Sequence, residues 1–167
     1  MTAPHKTDYS HQPAKDERAY GERNEDPYQS RGKYPEPSMC SGCGAVYHKG
    51  RWLWGVAQPD AHKILCPACQ RVHDRVPAGI VTLSGEYFGK HRQEIMNLVH
   101  NIESKEKAGH PLQRIMNITM QDDSTVISLT DFHLTRTIGE AIEHAHKGQV
   151  DYQFVDKDGV MTVNWSR

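Results

Sequence analysis

The chain has little that is apolar at its start and no long apolar run anywhere. Residues 1–39 contain no Ile, Leu, Val, Phe or Trp, so this stretch has nothing to bury against the entropy of ordering it. No segment approaches the ~18 consecutive apolar residues of a membrane helix, and no apolar signal segment opens the chain. Cysteine is scarce, at four in 167 residues. Charge is nearly balanced, with a net of −1 and a pI near 6.8, which by itself points to neither nucleic acid nor membrane. There is no H-E-x-x-H helix, no Ser-His-Asp context, and no cysteine spare for nucleophilic work. The expectation is a soluble, cytoplasmic, non-enzymatic protein.

The few cysteines are all placed alike. Cys40-Ser41-Gly42-Cys43-Gly44 and Cys66-Pro67-Ala68-Cys69 are two C-x-x-C pairs. Each pair suits a tight knuckle presenting two thiolates, and two knuckles close one tetrahedral site. Gly44, just past the second thiolate, lets the backbone turn and aim amides at sulfur. The spacing predicts one structural Zn2+ held by Cys40, Cys43, Cys66 and Cys69. Four thiolates leave no open position for a catalytic water. A redox role for Cys66-Pro67-Ala68-Cys69 would need no distant partner pair, and two disulfides would need an oxidising compartment.

Hydrophobic content is 37% and mean hydropathy −0.74, low for a chain packed throughout. Three regions result: a disordered arm over 1–39, a zinc ribbon over 40–76, and a ferredoxin-like domain over 77–167. In the arm, Tyr9, Tyr20, Tyr28 and Tyr34 interleave with Arg18, Arg23 and Arg31. That mixture suits either a solvated tail or a segment that stacks on RNA.

Within the ribbon, Ala45–His48 and Arg51–Trp54 read as two short strands around Lys49-Gly50. Trp52 and Trp54 share one face of a strand, opposite Leu53, and either meet a partner or pack on the next domain. The region 40–76 carries Lys49, Arg51, Lys63, Arg71 and Arg75 against Asp60 and Asp74, an excess of three positive charges. The candidate RNA contacts are therefore Lys49, Arg51, Trp52, Trp54, Lys63, Arg71 and Arg75. The cations would meet phosphates and the rings would stack on bases. Residues 77–167 carry a net of −3. Arg71 to Pro77 reads as a basic connector.

Beyond it the periodicity is clear. Gly79–Ser84 is a strand, and Lys90–Lys107 a helix with Ile95, Leu98, Val99 and Ile102 on one stripe. Ile115–Met120 and Thr125–Leu129 flank turn residues 121–124. A second helix starts at Thr130 or Asp131, carries Leu134, Ile138, Ala141, Ile142 and Ala145 inward, and stops at Gly148. Val150–Phe154 and Val160–Trp165 surround a turn at 156–159. The order β-α-β-β-α-β plus one strand predicts an α+β, ferredoxin-like antiparallel sheet with two helices on one face.

Two other patterns are weaker. Ser84–His91 sits where a phosphate loop would, but it has three residues rather than four before Gly89-Lys90, and His91 replaces the hydroxyl. The eleven histidines include His133, His144 and His146 on the second helix, spaced as surface residues or as a minor second metal site.

With these residues in place, the chain resembles bacterial zinc-ribbon proteins similar to the N-terminal part of the nonsense-mediated-decay-three family, an export adaptor for the large ribosomal subunit. The resemblance rests on Cys40–Gly44, on Cys66-Pro67-Ala68-Cys69-Gln70-Arg71, and on the strand Gly79–Leu83. Asp131–Arg136 and Val163-Asn164-Trp165 extend it. The family's additional cysteine pairs are missing here. The resemblance implies zinc ligation by the four cysteines and association with ribosomal RNA or a ribosomal protein. A protein–protein adaptor with no nucleic-acid contact is the alternative.

Overall fold

In the computed structural model, residues 26–28, 33–155 and 159–167 are described. They form a mixed α+β protein with two sheets and three helices. Most of the stretch expected as a disordered arm, and residues 156–158 of the last expected turn, lie outside the described residues. The arm's expected boundary at residue 39 is too late. Ser38–Cys40 is already a strand, β1, paired on both sides, and Asp26 and Tyr28 bond to the ribbon.

The first sheet is short-stranded. Its members are β1, β2 (Val46–His48), β3 (Arg51–Leu53) and β4 (His62–Ile64), in the order β3-β2-β1-β4. β2 and β3 are the expected hairpin, with the turn amides of Lys49 and Gly50 both donating to the Glu36 carboxylate. The stretch read as a basic connector, Arg71 to Pro77, begins in the second half of helix α1, Pro67–Asp74, and only residues 75–77 follow it. Eight residues give too little length for an apolar stripe to be read. The signals it does carry are Cys66 as N-cap, accepting from the Cys69 amide, and Pro67 at the first turn.

The second sheet holds β5 (Gly79–Ser84), β6 (Ile115–Met120), β7 (Ser124–Leu129), β8 (Gln149–Val155) and β9 (Val160–Ser166), ordered β6-β7-β5-β9-β8. Helices α2 (Glu86–Gly109) and α3 (Phe132–His146) cover one face. Alternation along the strands sends Val81, Leu83, Ile127, Leu129, Met161, Val163 and Trp165 into one core with Phe88, Ile95, Val99, Leu134, Ile138 and Ile142.

The β-α-β-β-α-β order is as expected, but the extra strand does not lie at the edge. β9 inserts between β5 and β8 and runs parallel to β5, so the sheet is not wholly antiparallel. Burial explains the choice, because β9 buries Met161, Val163 and Trp165. β8, with Asp151 and Gln153 exposed, takes the solvated edge.

The helices differ from expectation in detail. α2 begins four residues early and kinks at His91, which lets Phe88 enter the core, fully buried against Trp165. The imperfect phosphate loop is thus the first turn of this helix. In α3, Asp131 caps the start as expected. At the other end His146 is buried and Ala145 exposed, because the inward series runs Leu134, Ile138, Ile142, His146 at steps of four. No helix among the described residues is long and apolar enough to cross a membrane.

Candidate metal centre

Two backbone knuckles bring the cysteines together. Cys40 ends β1, and the chain turns back at once: the Cys40 amide donates to Ala45 O at 2.7 Å and the Gly44 amide to Cys40 O at 2.9 Å. Gly44 has φ +79°, the left-handed turn its position called for. The second knuckle is the junction of β4 with α1. There the Cys66 amide donates to Cys40 Sγ at 3.2 Å and the Cys69 amide to Cys66 Sγ at 3.4 Å. The knuckles meet so closely that a Cβ at Gly42 would lie 2.9 Å from Cys69 Sγ. Only glycine fits there.

All four sulfurs lie within 4.8 Å of one another, and Cys43 Sγ stands 3.8 Å from Cys66 Sγ. A tetrahedron with 2.3 Å metal–sulfur bonds separates its sulfurs by about 3.8 Å, so the group has the dimensions of a closed four-thiolate site. All four cysteines are free thiols. Cys40 and Cys66 are buried, and Cys43 and Cys69 half-buried. The electrostatics are uneven. Burial works to raise Cys40, but the amides of Cys66, Cys43 and Gly42 outweigh it and bring the thiol down to about 6. Burial and the surrounding sulfurs push Cys66 up, and burial also raises Cys69. Among the described residues no other group of histidine, cysteine or carboxylate side chains has metal-binding geometry. His133 and His144 are exposed, and His146 is buried beside Tyr87.

One residue of the site has no sequence signal at all. Arg114, which enters from the loop before β6, donates through Nη2 to Cys66 Sγ at 3.2 Å and Cys69 Sγ at 3.4 Å. Leu112 of the same loop packs on the cysteine cluster. These contacts span some 45 residues of sequence, and neither periodicity nor motif spacing reports them.

The candidate RNA contacts divide. Lys49, Arg51, Lys63 and Arg75 are exposed. Strand register puts Arg51, Leu53, His48 and Lys63 on one face of the first sheet, and Trp52, Tyr47, Ser38 and Cys40 on the other. The other three candidates are not free. Arg71 is 3% exposed. It is ion-paired with Asp26 at 2.5 Å, donates to Val76 O, and lies over the Tyr28 ring. Trp52 is half-buried against Tyr34, Tyr47 and the cysteine cluster. Trp54 lies past the end of β3, so it does not continue the face of Trp52, and its indole N–H donates to Lys107 O of α2 at 2.7 Å. Trp54 thus contacts the next domain, whereas Trp52 packs within the ribbon, a use neither expectation for the pair included.

Comparison with protein-family models, curated proteins and solved structures returns no match.

Proposed function

We propose that this is a zinc-binding, non-enzymatic protein whose ribbon associates with ribosomal RNA or a ribosome-bound protein. The observation that carries the metal half is the four-sulfur cluster. An all-thiolate donor set of tetrahedral dimensions favours zinc over hard cations, and complete coordination by protein gives it a structural role. The RNA half is supported by exposed cations of the first sheet, Arg51 on edge strand β3 and Lys63 on the opposite edge strand β4, with Lys49 at the hairpin turn. Such cations hold phosphates through salt-dependent contacts. The acidic α/β domain would confine RNA to the ribbon.

Sedimentation of gently lysed cells on sucrose gradients at low and high salt tests the RNA half. Comigration with ribosomal particles that is lost at high salt, and weakened by Arg51→Ala with Lys63→Ala, is the expected result. A protein that stays at the top in both salts removes it. The protein–protein adaptor draws support from exposed apolar groups at the β3 edge, Leu53 at 38% and Val56 at 95% exposure. Binding through them would be largely indifferent to salt.

A further inference from the structure

The metal centre does not belong to the ribbon alone. Arg114 is held by the α/β domain. Its amide donates to Thr130 Oγ1 at 2.9 Å, and its carbonyl accepts from the Thr130 amide at 2.9 Å. Thr130 Oγ1 also donates to Leu112 O at 2.6 Å, and the next amide, Ile115, donates to Glu103 of α2 at 2.8 Å. The loop is therefore fixed at the end of β7 and on α2, and it presents Arg114 outward to the knuckle of the other unit.

What Arg114 meets there is sulfur. Cys66 and Cys69 are the acceptors its guanidinium has among the described residues, and its Nε is buried without a partner. A partly buried guanidinium with no carboxylate is costly unless anionic sulfur faces it. Zn2+ on four thiolates carries a net charge of −2, so a loaded site supplies that anion and one arginine halves the imbalance. Leu112 beside it covers the knuckle with apolar surface.

We propose that the metal centre is completed across the domain boundary. Arg114 is the cation that balances the thiolate cluster, and metal loading thereby fixes the ribbon on the α/β domain. Any coupling of this kind is reciprocal: what docking adds to metal affinity, metal adds to docking. The Trp54–Lys107 contact involves no cysteine and is a second joint between the units. The proposal rests on the metal half of the function above and not on RNA.

The test uses the full chain and zinc alone. Zinc affinity is measured by competition with a chromophoric chelator for wild type, Arg114→Ala and Arg114→Lys. Amide exchange at 112–115 is followed with and without zinc. Loss of arginine should weaken zinc binding by about 10- to 100-fold, the range seen for groups that support metal ligands. Lysine should recover part of it, and zinc should slow exchange at 112–115 in wild type but not in Arg114→Ala. Wild-type affinity in Arg114→Ala, or wild-type exchange at 112–115 indifferent to zinc, overturns the proposal. If Arg114→Ala fails to fold, the lysine variant and the wild-type exchange decide it. A wild-type chain that takes no zinc overturns the metal half of the function as well, whereas failure to bind RNA alone leaves this proposal standing.

Discussion

The ribbon and the α/β domain solve the same problem with different means. The α/β domain buries a continuous cluster from Val81 to Trp165 between its sheet and two helices. The ribbon's cluster is Cys40, Ala45, Cys66 and Ala68, with Trp52 and Leu112 against it, so half of its innermost residues are cysteines. Strands of three residues cannot bury enough apolar area to offset their ordering. In place of a large core the ribbon uses the four-cysteine cluster, the buried Arg71, and the rings of Tyr47 and Trp52, each met edge to face by Tyr34. Units this small generally need such a staple. The comparison teaches that one chain can hold a unit built around a cysteine cluster and a unit built around an apolar core, joined at Arg114 and Trp54.

The sharpest way to break that comparison is to take the metal away. Zinc binding to structural sites contributes on the order of 10 kcal/mol of folding free energy at neutral pH. Chelation, or Cys66→Ser, should therefore release amides of β1 to β4 to exchange while those of β5, β7 and β9 stay protected. Concerted loss of protection throughout would mean that the two units fold as one. The reciprocal experiment is Phe88→Ala, which opens a cavity against Trp165. It should cost about 3–5 kcal/mol and lower the melting temperature, with the cysteines still taking up metal in a chelator competition.

A smaller effect is expected where the arm meets the ribbon. Asp26→Ala leaves the buried Arg71 guanidinium without its carboxylate. The loss should be about 1.5–3 kcal/mol, as for a hydrogen bond to a charged group, read as a lower midpoint of ribbon unfolding in denaturant. If the midpoint does not move, the Asp26 contact adds nothing to the ribbon.

The smallest effect concerns the helix cap. Asp131→Ala should cost about 1 kcal/mol, while Asp131→Asn, an equally good cap, should cost close to nothing. Burial raises the Asp131 carboxyl above its ordinary value despite the Leu134 and His133 amides. A carboxyl raised in the folded state holds its proton more tightly there. Its contribution is therefore greatest below the unfolded value and declines as pH rises through the folded one. Denaturant unfolding across mildly acidic pH should show that slope in wild type and not in Asp131→Asn.

Legibility differed between the two units for a physical reason. In the α/β domain each strand and helix meets one core, so alternation in Gly79–Ser84 and the four-residue steps from Leu134 to Ile142 are written locally. The cysteine spacing was legible in the same way, because the two thiolates of a knuckle are three residues apart. Helix α1 was not, since eight residues with Arg71 as an inward member carry no apolar period. Arg71 and Trp52 looked like surface contacts because side-chain type does not say which groups will cover them. Asp26 and Tyr28 cover the first, and Tyr34 and Tyr47 pack against the second.

By itself, then, the sequence determined the two cysteine knuckles, the β-α-β-β-α-β order and most of the second core, all of them consequences of spacing within a few residues. Only the tertiary structure decided that β9 goes inside and β8 outside, that Arg71 is buried, and that Arg114 reaches Cys66 and Cys69. Each of these depends on which surfaces are left to bury once the elements exist, and on contacts between residues tens of positions apart.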